Sequence, residues 1–411
     1  MIRGALLGAF VALACTAPVG AQVDLGGWVE YQAIAYGLPR GAGSVGRNQL
    51  RVQPELTGVF GSWGRGFVAV ELRADASAPS RDRIWIDEAY LEVFLGSVDV
   101  RAGRQFVSWG RADALNPTDY FGAQDYSDVL DADQEALAQD AISLTWYLGD
   151  VLVEAVWAPL LRPSFLPAPG SRWWPSGPGA APEGIDLGEA RFLSGGKGAL
   201  GVRSSATFRG WDTSLSLYRG PWSLPALGPA GPSAAFPLAP DVPGLWAVGA
   251  DAATVIGGVG VHGEAAAYTF RTAGQGVPGL DQPFLRYVLG GDYVVRGLPG
   301  DRPLSLLAEW AQDVPLRALS SPWSTLDLNH VFRRSLLARA DLQVTDDARA
   351  RVEGARAFGG GGWVAVLELE SRPRDGLEIR ISADLPGGGG DTFFGMFRAN
   401  RRVHARVRLT F

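Results

Sequence analysis

Between residues 141 and 157 the chain alternates. Ile142, Leu144, Trp146 and Leu148 take turns with Ser143, Thr145 and Tyr147. Gly149-Asp150 interrupts, and Val151, Val153, Ala155 and Trp157 then alternate around Glu154. A period of two places successive side chains on opposite faces, so this stretch predicts two strands joined by a tight turn. One face is apolar and the other more polar. The pattern recurs: Leu50, Val52 and Leu56 flank Arg51, Gln53, Glu55 and Thr57, and Leu215 and Leu217 flank Ser214, Ser216 and Tyr218. Leu377, Ile379, Ile381 and Leu385 flank Glu378, Arg380, Ser382 and Asp384. About 18 segments read this way, with 16 as the alternative count.

The connections alternate too. Short ones fall at 62–65, 96–97, 149–150, 209–210, 257–258, 296–301, 345–347 and 373–376. Longer ones fall at 38–46, 106–140, 159–198, 220–243, 272–283 and 315–328, with a short link at 359–362 as the exception. Short turns at one end, long loops at the other and an even strand number fit a closed antiparallel transmembrane β-barrel. Closure suits a membrane because every backbone N–H and C=O then has a partner and no edge remains. A soluble sandwich or propeller would bury its apolar faces against a second sheet and would not require this asymmetry.

Composition sharpens the picture. The chain has 411 residues, is 47% hydrophobic and 19% charged, and has a mean hydropathy of +0.05. No apolar run reaches the roughly 20 residues of a membrane helix. The first 21 residues read as a secretory signal peptide: Arg3 opens it, 5–14 is the apolar stretch, and Val19-Gly20-Ala21 is the cleavage site. The alternatives are a buried N-terminal helix and lipidation at Cys15. Residues 22–411 then form one barrel domain, destined for the outer membrane of a Gram-negative bacterium after secretion through the inner membrane. Removing Arg3 takes the net charge from −6 to −7, and nothing suggests a nucleic-acid partner. Cys15 is the only cysteine, so the mature chain has no disulfide or thiolate chemistry.

The more polar face carries charge. Arg339, Arg349, Arg351, Arg380, Arg402, Arg406 and Arg408 interleave with Glu353, Glu368, Glu370, Glu378 and Asp384 in the C-terminal strands. Glu30, Glu55, Glu71, Glu88, Glu92, Asp99, Glu154, Glu264 and Glu309 point the same way, with Arg51, Arg73 and Arg101. These residues either pair across strands or line a pore and steer charged solutes. Trp28, Trp63, Trp85, Trp211 and Trp363 sit near strand ends and are candidates for the interfacial girdles.

The segment 106–140 is the constriction candidate. It carries Arg111, Asp113, Asp119, Asp125, Asp128, Asp131, Asp133 and Glu135. Folded inward, it would set carboxylates opposite the arginines; otherwise it is a solvated external loop. Asp125, Asp128, Asp131 and Asp133 could bind calcium through oxygen. Their spacing lacks the EF-hand pattern, and no metal or cofactor is assigned. The proline- and tryptophan-rich segment 159–198 reads as an external or plug loop.

The last strand presents Val403, Ala405, Val407, Leu409 and Phe411 on one face and stops on the aromatic Phe411. That resembles the terminal signal read by the barrel assembly machinery. Gly103-Arg104-Gln105, Trp109-Gly110 and Asn116-Pro117 resemble a motif of porin-like outer-membrane proteins, including the alginate-export type. The resemblance implies a many-stranded barrel that passes a small solute or an acidic polysaccharide. Its partners would be outer-membrane lipids, the assembly machinery, the transported molecule and, for export, periplasmic components.

An enzyme reading is weak. The three histidines are His262, His330 and His404; the first and last read as satisfied lumen groups, and no serine nucleophile is suggested beside His404. Two readings remain: a transport pore, or a plugged barrel that makes structural or surface contacts.

Overall fold

The computed structural model describes residues 21–37, 45–77, 81–131, 136–168, 171–174, 191–193, 196–229, 238–271, 280, 282–319, 323 and 328–411. The proposed leader, Cys15, Asp133, Glu135 and the prolines at 169, 175 and 178 lie outside these residues, apart from Ala21 at the leader's end. In chain order the strands are β1 (Ala21–Tyr36), β2 (Val45–Phe60), β3 (Gly64–Asp75), β4 (Arg83–Leu95), β5 (Val98–Gln105), β6 (Gln139–Leu148), β7 (Val151–Leu160), β8 (Arg191–Leu193), β9 (Ala199–Phe208) and β10 (Trp211–Pro221). Then come β11 (Ala226–Pro229), β12 (Leu238–Ile256), β13 (Val259–Phe270), β14 (Phe284–Val295), β15 (Leu304–Pro315), β16 (Arg334–Thr345), β17 (Ala348–Ala357), β18 (Gly362–Arg374), β19 (Leu377–Gly387) and β20 (Arg402–Thr410).

Eighteen of these strands form a closed antiparallel ring. Each pairs with the next, and β20 returns to β1 through nine residue pairs from Trp28↔Thr410 to Tyr36↔Arg402. The short β8 and β11 stand outside the ring and extend β12 beyond it. The larger strand count of the two read from the sequence is therefore the observed one. All eight short connections predicted from the sequence are turns on one end, the end that also carries both termini of the ring. Two of them, Arg209-Gly210 and Gly257-Gly258, have positive φ at both residues, the geometry that matches strand twist in a two-residue hairpin.

Alternation decides which side chain faces where. Leu215 and Leu217 are 68% and 58% exposed, whereas Ser214 and Ser216 are 4% and 3% exposed. The outward belt is apolar, whereas the inward face is polar and charged over much of its length and aromatic toward the loop end. Val403, Val407, Leu409 and Phe411 lie on the outward face. Two of the girdle candidates do not. Trp28 shares the inward face with Glu30 and lies under Arg51 and Arg408 at 5.2 and 4.5 Å. A register shift between Ala69 and Val70 sets Trp85 opposite the inward Glu71, where Arg83 stacks on it at 3.7 Å. The exposed Trp63, Trp146, Trp157, Trp211 and Trp246 occupy the outward belt instead.

Candidate functional site

The charged wall follows from strand register. Antiparallel pairing sets Arg339 opposite Glu353, Arg351 opposite Glu368, Glu370 opposite Arg380, Glu378 opposite Arg408, and Asp384 opposite Arg402. Opposite charges on neighbouring strands attract at close range. Arg349 reaches Glu370 at 2.7 Å, Arg351 reaches Asp341 at 2.6 Å, and Arg380 reaches Glu378 at 2.9 Å. At the seam, Glu30 of β1 takes Arg408 at 2.6 Å and Arg406 at 3.6 Å. The carboxylates thus neutralise much of the arginine ladder in place. Glu353 is half-buried opposite Arg339.

The segment between β5 and β6 folds into the ring, and the wall holds it by its backbone. Glu264 of β13 accepts the amides of Arg111 at 2.8 Å, Ala112 at 3.2 Å and Thr118 at 2.5 Å, and the Thr118 hydroxyl at 2.9 Å. Glu309 of β15 accepts the amides of Asp113 at 2.8 Å and Ala114 at 3.1 Å. Side chains add to this: Arg111 meets Asp251 at 2.5 Å, and Asp113 meets Arg339 at 3.0 Å. The Tyr268 hydroxyl donates to the Pro117 carbonyl.

This geometry gives the Trp109-Gly110 and Asn116-Pro117 pairs a physical meaning. Gly110 has φ +110°, and a Cβ there would meet both Glu264 oxygens at 2.7 and 2.8 Å. Trp109 packs edge-on to Phe121 against Gly201, where a larger residue would collide with its ring. Asp119 accepts the Trp109 amide at 3.3 Å. Burial pushes its carboxyl up to about 7, despite that amide, and the charge on Glu264 adds to the rise.

Farther along, the segment crosses to the other side of the ring. Asp125 meets Arg83 at 3.5 Å, Asp131 meets Arg47 at 3.3 Å, and Asp128 is held by Arg47 and by the fully buried Arg402, which also grips Asp384. Burial raises the Asp128 carboxyl while the Arg402 guanidinium opposes the rise. The calcium reading therefore meets arginines where a cation would sit. Asp113, His262 and Glu309 do cluster, but backbone amides, His262 at 2.7 Å and Arg339 already occupy their oxygens.

Sequence reasoning overlooked two further elements. The connection between β19 and β20 also turns inward, carrying a four-residue helix, α1 (Phe393–Met396), capped by Thr392. Phe393, Phe394 and Phe397 pack there with Val129, Leu130, Trp173 and Val331. The second is Ser382, whose hydroxyl lies 2.5 Å from His404. The register of β19 and β20 sets Ser382 directly opposite His404. Asp384 completes the group, yet it contacts the same Nε2 at 3.2 Å. A nucleophile relay needs the acid on the other ring nitrogen, so this arrangement does not build one.

Burial of inward side chains rises toward the loop end. On β17 the side chains of Arg349 and Arg351 are 33% and 23% exposed, while Ala355 and Ala357 are buried. On β20 Arg408 is 33% exposed and Arg402 1%. The interior is thus a funnel in exposure, open to solvent at the short-turn end and packed at the loop end among the described residues. A cavity of about 270 Å³ lies among the packed loops, lined by Asn116, Asp119, Trp222 and Phe394. A polar one of about 200 Å³ lies along the β4–β7 wall, lined by Glu92, Arg101, Ser108 and Glu154.

No known protein family and no curated protein matches this chain. Solved structures aligned with it include engineered variants of the porin of Rhodopseudomonas blastica. One aligns at a TM-score of 0.44 and 11% identity, covering 95% of this chain and all of that one. A second gives 0.42 and 12% over the same shares. At these values the likeness assigns no function.

Proposed function

We propose that this chain is an outer-membrane transport channel, with the inward-folded residues 106–131, between β5 and β6, as its constriction. One observation carries the reading: an apolar belt surrounds a water-exposed ionic interior that is narrowed by a segment held through non-covalent bonds. A purely structural barrel would have no need of a charged, solvent-accessible interior. The partly exposed Arg339, Arg349, Arg351 and Arg408 would line the path together with Glu353, Glu368, Glu370, Glu378 and Arg380, while the buried Arg402 and Arg406 would brace its wall. Arg111, Asp113, Asp119, Asp125, Asp128 and Asp131 would anchor the constriction. The cargo is a small charged or polar solute or, in the finer version, an acidic polysaccharide moved with periplasmic export components. Phe411 serves as the signal for the assembly machinery.

The test is single-channel conductance in planar bilayers. The whole chain is expected to show small, fluctuating openings. Replacing residues 107–137 with a Gly-Ser linker is expected to raise conductance several-fold. Silence from both, in correctly folded barrels, overturns the channel. It would favour the plugged reading, which the aromatic cap around Phe393 and Phe394 supports. Secretion of acidic polysaccharide that persists without this protein would remove the export version alone.

A further inference from the structure

The outward belt should be apolar, yet arginines interrupt it near the loop end, and two of them flank one cavity. A single row runs across four strands there: Trp157 opposite Leu200, Leu200 opposite Arg219, and Arg219 opposite Trp246. Arg219 is exposed and lies 5.2 Å from the Trp246 ring. Arg271, also exposed, follows the end of β13, where its amide donates to the Gly244 carbonyl at 2.8 Å. Both arginines line one cavity of about 320 Å³, floored by Gly198, Gly220 and Gly244.

Two guanidinium groups that line a single cavity set this place apart. Another outward arginine near the same end, Arg104, is neutralised by both oxygens of Asp140 at 2.9 Å. Arg219 and Arg271 meet no acidic group among the described residues. Directly beneath them, toward the short-turn end, the belt is apolar: Leu217 and Val248 face each other and are each 58% exposed. Two guanidinium forks over an apolar strip match one chemistry, a phosphate joined to acyl chains. Guanidinium groups bind phosphate oxygens bidentately, and their stems and neighbouring indoles suit the boundary between headgroup and hydrocarbon. Because the site faces outward, its ligand approaches from the membrane and not from the channel.

We propose that Arg219 and Arg271 form a binding site for the phosphate headgroup of a membrane lipid, whose acyl chains lie on Leu200, Leu217 and Val248. This rests on the reading that the belt faces lipid. The experiment is native mass spectrometry of the whole chain released from detergent, titrated with phosphatidic acid and, separately, phosphatidylcholine. Phosphatidic acid is expected to bind at least tenfold tighter. The double variant Arg219→Gln/Arg271→Gln is expected to lose that preference while keeping the heat-modifiable gel mobility of a folded barrel. The control pair Arg334→Gln/Arg356→Gln, on the outward face of β16 and β17, is expected to retain it.

Retained preference in the first pair, or equal loss in the control pair, overturns the site. Displacement of the lipid by millimolar inorganic phosphate would make it a free-anion site and overturns the lipid assignment. So would a second copy of the chain masking the rim in solution. Failure of the wild-type chain to float with vesicles would instead defeat the membrane reading, so the two failures are distinguishable.

Discussion

Glu264 gathers three backbone amides and a hydroxyl of the folded-in segment at one position. Truncating it strands those donors, and a hydrogen bond to a charged group contributes about 1.5–3 kcal/mol. Glu264→Ala is therefore expected to loosen the segment by about 2 kcal/mol or more, a roughly thirtyfold rise in its undocked population. Faster trypsin cleavage after Arg111 would register this, with the barrel itself still heat-resistant. Gly110→Ala should act in the same direction, because its Cβ collides with that carboxylate. Asp119 supplies a pH dependence. Its folded-state value near 7 lies above the ordinary 3.8, so the docked state holds the proton that the undocked state releases. Its contribution is complete below about pH 4 and is lost as pH rises through 7. Cleavage of the segment should then accelerate between pH 5 and 7.5, and Asp119→Asn should flatten that rise. The motif Trp109-Gly110 was visible in the sequence. Its reason was not, since Glu264 stands 153 residues from Arg111.

Strands and turns were the most legible elements, because period two and two-residue turns are local signals. All 18 ring strands and the alternating loop lengths follow from them. The inward connection between β19 and β20 was not legible: a four-residue helix is too short to show helical periodicity, and its phenylalanines read as no pattern at all. Trp28 and Trp85 show a related limit. Trp85 lies near the start of β4, but Trp28 falls in the middle of β1, and the face of each depends on parity and, for Trp85, on one register shift that no local signal marks. The element-scale prediction concerns β20. Arg402 is sandwiched between Asp128 of the folded-in segment and Asp384 of β19. Removing one partner of a buried ion pair typically costs about 3–5 kcal/mol. Arg402→Met should lower the denaturant midpoint of the barrel sharply, and adding Asp128→Asn should restore part of it. Additivity of the two substitutions would show that they are not coupled.

Across the whole molecule, average hydropathy near zero conceals two surfaces, one for lipid and one for water. The interior cations are arginines, and Lys197 is the chain's only lysine. A guanidinium stays charged throughout the physiological range, so pH changes the interior through carboxylates and histidines alone. If the channel reading holds, neutralising Arg349 and Arg351 to Gln should shift its permeability toward cations, read as a reversal potential in a salt gradient. Neutral substitution without such a shift would place the conducting path elsewhere. The funnel carries one more consequence. With its packed end toward the loops, the interior is expected to equilibrate with only one of the two bathing solutions while the segment is docked. A bulky arginine reagent such as a phenylglyoxal conjugate should therefore modify Arg349 and Arg408 from the short-turn side and spare them from the loop side. Reactivity alone would then report which way each molecule points in a vesicle.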